Sequence, residues 1–104
     1  MESNAAYYAV IFTSVLSEDT AGYQEMSQRM LELAMQQEGY LGHETARSEI
    51  GITISYWKSL EAIKIWKQNE EHLFAQAQGR KRWYQSYHLK ICKVEREYSF
   101  NNNF

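Results

Sequence analysis

With a single cysteine, Cys92, among its 104 residues, the chain forms no internal disulfide, and a reducing cytoplasm is the compartment that suits it. Its first residues, Met1-Glu2-Ser3-Asn4, hold neither the basic stretch nor the apolar run of a secretion signal. No apolar run approaches the roughly 20 residues that span a bilayer, so no membrane is expected as a partner. An excess of charge of one sign is also lacking. The 11 lysines and arginines against 13 aspartates and glutamates leave a formal net charge of -2, which supplies no broad positive field for nucleic acid or anionic lipid. A second domain has no room in 104 residues. One domain over residues 1–104 is expected, its ordered core running from about residue 6 to about residue 100.

What is present is ordinary for a globular protein in bulk, 44% hydrophobic and 23% charged, but generous in aromatics at 14%. Large aromatic surfaces in so small a core raise the weight of a ligand pocket or an interface between copies. Tyr7 to Ser14, Y-Y-A-V-I-F-T-S, reads as a first strand. Tyr7, Ala9 and Ile11 point one way and Tyr8, Val10 and Phe12 the other, so both faces need cover. Ser17-Glu18-Asp19-Thr20 suits a helix start near Thr20, and Tyr23, Met26, Met30, Leu33 and Ala34 recur at helical spacing up to a stop at Gly39. Tyr40 to Glu49 and Ile52 to Trp57 read as a hairpin across Ile50-Gly51. Ser59 caps a helix carrying Leu60, Ile63 and Trp66, and Asn69 is expected to cap a second helical segment through Phe74 and Ala77. Leu89 to Phe100 resumes alternation as the last strand.

The order β-α-β, β-α-β predicts an α+β protein of the ferredoxin-like, split β-α-β kind, an antiparallel sheet with its helices on one face. Covering the second face by packing two sheets together predicts a homodimer.

The stretch Gly51 to Trp66, G-I-T-I-S-Y-W-K-S-L-E-A-I-K-I-W, followed by His72, Gly79-Arg80 and Trp83-Tyr84, resembles the antibiotic biosynthesis monooxygenase family. The resemblance implies a dimeric α+β barrel with a pocket between sheet and helices in each subunit. It is similar to the family's haem-degrading branch at Trp66, but that branch uses an asparagine on the first strand and a histidine ten residues past the tryptophan, where this chain has Gln76. A glutamine amide is a poor axial ligand for iron. The quinone-forming branch works on polycyclic phenols without metal or flavin. Its asparagine, tryptophan and tyrosine correspond to Ala62, Trp66 and His72 here.

The resemblance therefore implies a monooxygenase without a cofactor, acting on a small aromatic or quinone-type molecule and dioxygen. Trp66 and His72 are its catalytic candidates, and Tyr8, Trp66, Gln76, Arg80 and Trp83 its substrate-binding ones. The alternative is a dimer that binds such a ligand without turning it over, and haem binding through His72 is a third reading. Trp66 supplies a stacking face and an indole N–H donor, and is equally the next large core residue after Ile63. His72, placed at the start of a helical segment, would be kept neutral by the positive helix end and so serve as a base. His43 and His88 lie on or beside strands two and four and carry less weight. No histidine and carboxylate share metal-ligand spacing, so no metal site is expected. Arg80-Lys81-Arg82-Trp83-Tyr84 is a basic and aromatic run that reads better as a solvated face over aromatic anchors than as a nucleic-acid site, with Arg80 able to hold an acidic or enolate group. Cys92, alternating with Val94, reads as a small buried apolar residue.

Overall fold

The structure, a computed structural model, describes residues 2–77 and 82–102, with side chains over residues 6–72 and 82–102. Its elements follow the expected order: β1 (Glu2–Leu16), α1 (Tyr23–Met35), β2 (Tyr40–Arg47), β3 (Gly51–Trp57), α2 (Leu60–Ala77) and β4 (Tyr84–Tyr98). The strands form one antiparallel sheet in the order β2-β3-β1-β4. This is the α+β, ferredoxin-like fold. β1 occupies an interior position because its β-branched and aromatic run pairs on both edges, with Val10 opposite Ser55 of β3 and Ile91 of β4.

The two helices lie on the face that carries Tyr8, Val10 and Phe12. Val10, Ala34, Trp57, Ile63 and Trp66 form the buried cluster there, with Met30 and Leu33 of α1 packed against it. Ser59 caps α2 as expected, its Oγ accepting the Ala62 N–H at 3.1 Å. α1 starts later than expected, at Tyr23 behind a left-handed Gly22, and Asp19 turns the chain before it by accepting the Ala21 N–H at 3.3 Å.

Two expectations are corrected. α2 runs through Asn69 without a break, because the Asn69 amide donates across to Gln37 Oε1 at 3.5 Å and caps nothing. His72 therefore sits well inside a continuous helix, where its neighbours' backbone N–H groups are already bonded, and no positive helix end acts on it. Cys92, opposite Ala9 on β1, is exposed on the sheet face away from the helices.

Gly39, between α1 and β2, is required twice over. Its φ of 91° is left-handed, and a Cβ there would come within 2.7 Å of Ala62 Cβ on α2. Gly39→Ala is expected to cost about 1–3 kcal/mol, read as a lower urea midpoint with an unchanged slope.

Candidate functional site

A cavity of about 190 Å³ lies between the helices and the sheet. Val10, Thr53, Ser55 and Trp57 are its floor, since alternate residues of paired strands share a face. Met30 and Ala34 of α1 and Ile63 and Trp66 of α2 close it from above. At one end the Trp57 and Trp66 rings stack at 6.2 Å and 21°, and Tyr40 meets Trp57 edge-on at 5.6 Å. The other end is a second aromatic group in which Tyr23 packs edge-on against Trp83 and Tyr84, both at 5.9 Å.

Beside the tryptophan pair, the Tyr40 hydroxyl and His43 Nδ1 share a hydrogen bond of 2.5 Å, and both residues line the cavity. They are three apart on β2, so on a regular strand they would point to opposite faces. The pairing of β2 with β3 shifts register between Tyr40 and Gly42, and the one extra residue brings both side chains to the cavity side. Burial holds the Tyr40 hydroxyl above its ordinary value, keeping it protonated at neutral pH. With its Nδ1 engaged by Tyr40, the His43 imidazole has, among the described residues, its second nitrogen left for a ligand.

At the far end Arg47 reaches over the sheet to Ser14, donating from Nη2 to the hydroxyl at 2.5 Å and from Nη1 to the carbonyl at 3.5 Å. Its guanidinium lies 5.8 Å from the Tyr23 ring centre. On α2, Lys67 is engaged by Glu70 at 3.0 Å and Glu71 at 3.5 Å.

Several tyrosine hydroxyls resist ionisation. Burial, together with Tyr23, holds Tyr84 far above its ordinary value against the opposing pull of Arg47. A hydrogen bond to Glu44 raises Tyr56, and one to Glu97 pushes Tyr7 up to about 12. Each group binds its proton more tightly folded than unfolded, so stability is full below the unfolded value near 10 and falls as pH rises through the folded values. Denaturant midpoints are expected to drop above about pH 10. Replacing Tyr84 by phenylalanine should make that drop shallower, whereas an unchanged slope would show that Tyr84 contributes nothing to it.

Of the residues singled out in the sequence, Trp66 and Trp83 line the cavity. The Trp83 indole N–H is already given to the Ala21 carbonyl at 2.7 Å, which leaves the ring as a wall and not a donor. Tyr8 packs against the hydrophobic cluster, outside the described lining. His72 is exposed and is not on the described cavity wall. The Gln76 side chain and all of Arg80 lie outside the described residues. Ala62 is not on the described lining either; it lies against Gly39, where an added Cβ would come within 2.7 Å of its own. Arg82, of the same basic run as Arg80, braces the turn before α1 through Asp19 at 3.6 Å and the Ala21 carbonyl.

Tyr40, His43, Arg47 and Trp57 were not singled out as site residues. Trp57 sits in the quoted Y-W-K-S motif, and its floor position was accessible from strand alternation, but the Tyr40–His43 meeting depends on the bulge. Among the described residues, no group of three or more His, Cys, Asp or Glu could hold a metal ion, and no helix is long and apolar enough to cross a membrane.

Comparison with known proteins agrees with this architecture. The uncharacterised protein YqjZ of Bacillus subtilis is 48% identical over 99 residues, spanning 93% of this chain and 87% of that protein. Rv0793 from Mycobacterium tuberculosis has a similar fold, with a TM-score of 0.74 at 14% identity over 89% of this chain and 99% of that one. SnoaB, a cofactor-independent oxygenase from Streptomyces nogalater, matches with a TM-score of 0.70 at 12% identity over 88% and 95% of the two chains. The family model for antibiotic biosynthesis monooxygenase matches residues 6–78, from β1 to the end of α2, and the chain belongs to that family.

Proposed function

We propose that this protein is a cofactor-independent monooxygenase that oxidises a small phenolic or quinone-type aromatic compound in the cavity between helices and sheet. The observation that carries it is the Tyr40–His43 hydrogen bond beside the stacked Trp57 and Trp66 rings, a proton acceptor next to a surface for a flat ligand. His43 takes the phenolic proton on its free nitrogen, while Nδ1–H donates to the Tyr40 oxygen and steadies the imidazolium. The phenolate, richer in electrons, reacts with dioxygen. A ring C–H bond breaks and a C–O bond forms, the second oxygen leaves as water, and the ring becomes a quinone. The phenol supplies all four electrons, so no external reductant enters.

Trp66 and Trp83 serve as walls, and the base sought at His72 is supplied by His43, because only His43 is on the described wall. Haem fits poorly. A cavity of about 190 Å³ is below the roughly 300 Å³ at which pockets begin to enclose drug-sized ligands.

The bare sheet face supports a homodimer. Ile52, Ile54 and Tyr56 of β3 lie beside Tyr7, Ala9 and Ile11 of β1 there, with Ile52 42% exposed. Sedimentation at twice the chain mass at micromolar concentration is expected, and a monomer mass would contradict it.

Oxygen consumption with hydroquinones and naphthols tests the activity. Uptake that equals the buffer rate for every phenol tried, alongside saturable quenching of tryptophan fluorescence, would make the protein a ligand-binding dimer instead.

A further inference from the structure

The cavity has a limited size and an unbalanced charge. Its volume of about 190 Å³ only modestly exceeds the ~150 Å³ of an engineered protein cavity that takes up benzene. One substituted ring fills such a space and two fused rings reach its limit, so a third ring would have to project from the mouth. Of the charged side chains on its described wall, Lys67 is neutralised by Glu70, which leaves Arg47 in excess on a protein whose net charge is -2.

Arg47 is also held in place. Its described hydrogen bonds and ring contact are to Ser14 and Tyr23, neither of them a carboxylate, so among the described residues no ion pair occupies it, and its exposed guanidinium is open to an incoming anion. Gly51, its partner across the β2–β3 pair, makes the room: a Cβ there would overlap the guanidinium. Arg47 and His43 are four residues apart on β2, about 13 Å along the strand, and their side chains can converge on opposite ends of one small molecule.

We propose that the ligand is an aromatic carboxylate of one ring or two fused rings, its carboxylate paired with Arg47 and its ring directed toward Trp57, Trp66 and His43. A guanidinium meets a carboxylate through two parallel N–H donors, a match that a neutral amide cannot reproduce. The phenolic group on that ring rests on the proposed monooxygenase reading; the carboxylate and the size limit do not.

The test is binding, by tryptophan fluorescence and calorimetry, of para-hydroxyphenylacetate and a hydroxynaphthoate, each against its own amide, with anthracene carboxylate as the oversized probe. The wild-type protein is expected to bind each acid about tenfold more tightly than its amide, and the anthracene acid more weakly than either smaller acid. Arg47→Gln should erase the preference for acid over amide. Arg47→Lys should keep part of it, and Gly51→Ala, which displaces the guanidinium without removing its charge, should reduce it.

Equal binding of acid and amide by the wild-type protein overturns the proposal without reference to any variant. So does anthracene carboxylate binding as tightly as the one-ring acid. Oxidation of neutral phenols with no preference for acids sinks this inference and leaves the monooxygenase intact. Arg47-dependent binding of acids with no oxygen uptake upholds it and removes the monooxygenase.

Discussion

Oxygen uptake with a phenolic substrate is expected to fall by about 10²- to 10⁴-fold in His43→Ala, the range that a positioned general base contributes. Tyr40→Phe should have a smaller effect in the same direction, because it leaves the imidazole but removes the group that orients it through the 2.5 Å contact. The signature of orientation is a change in rate with little change in substrate affinity, since neither variant removes the tryptophan wall. His72→Ala is the companion measurement. A rate lost in His72→Ala and kept in His43→Ala would return the role of base to His72 and overturn the cavity assignment. Retained folding of each variant, read by near-ultraviolet circular dichroism, separates lost chemistry from lost structure.

Trp57→Ala should be the most destabilising single change at the site. Trp57 has no exposed surface, and it stacks on Trp66, meets Tyr40 edge-on and donates its indole N–H to Ser55 Oγ at 2.9 Å. Truncating a buried tryptophan costs about 3–5 kcal/mol through lost transfer energy and the void left behind. Small domains hold about 5–15 kcal/mol in total, so the variant should retain only part of its stability and melt more than about 12 °C lower. Trp57→Phe keeps a ring in the gap and should lose less than half as much. A Trp57→Ala protein that melts within a few degrees of the wild type would mean that the floor of the cavity collapses to fill the space.

The two changes separate what the fold needs from what the reaction needs. Trp57 closes the hydrophobic cluster and forms the cavity floor at once, so its loss is felt in stability first. His43 is half-buried on an outer strand and is not among the residues of that cluster, to which it connects through its hydrogen bond with Tyr40. Its loss should be nearly silent in stability and large in rate.

Local pattern was sufficient for the elements. The run of β-branched and aromatic residues from Tyr7 to Ser14 lies within β1, helical spacing from Tyr23 to Ala34 marks α1, and the Ser59 cap fixes the start of α2. Those signals act over one or two turns of chain, and they also carried the order of elements and the antiparallel sheet. The tryptophans were legible too, since a large aromatic on an apolar helix face has few places to go but the core.

The site's polar groups were not legible in the same way. Asn69 looks like a cap by its type, yet its side chain finds a partner on the loop after α1, and α2 continues past it. That decision removed the helix end on which the reading of His72 as a neutral base rested. His43 carried little weight as a histidine on strand two; regular alternation would put it on the face opposite Tyr40, and one extra residue at Leu41 and Gly42 reverses that phase. Arg47 looks like an ordinary charge near a turn, and only the pairing of its strand with Gly51 shows the space that lets it fold over Ser14.

The sequence by itself thus determined the strands, the helices and the apolar faces, because these follow from periodicities within a short stretch of chain. Tertiary structure decided which polar side chains meet in the cavity. Such meetings depend on register between strands and on where small residues leave room, and both are properties of paired segments that neither segment carries alone.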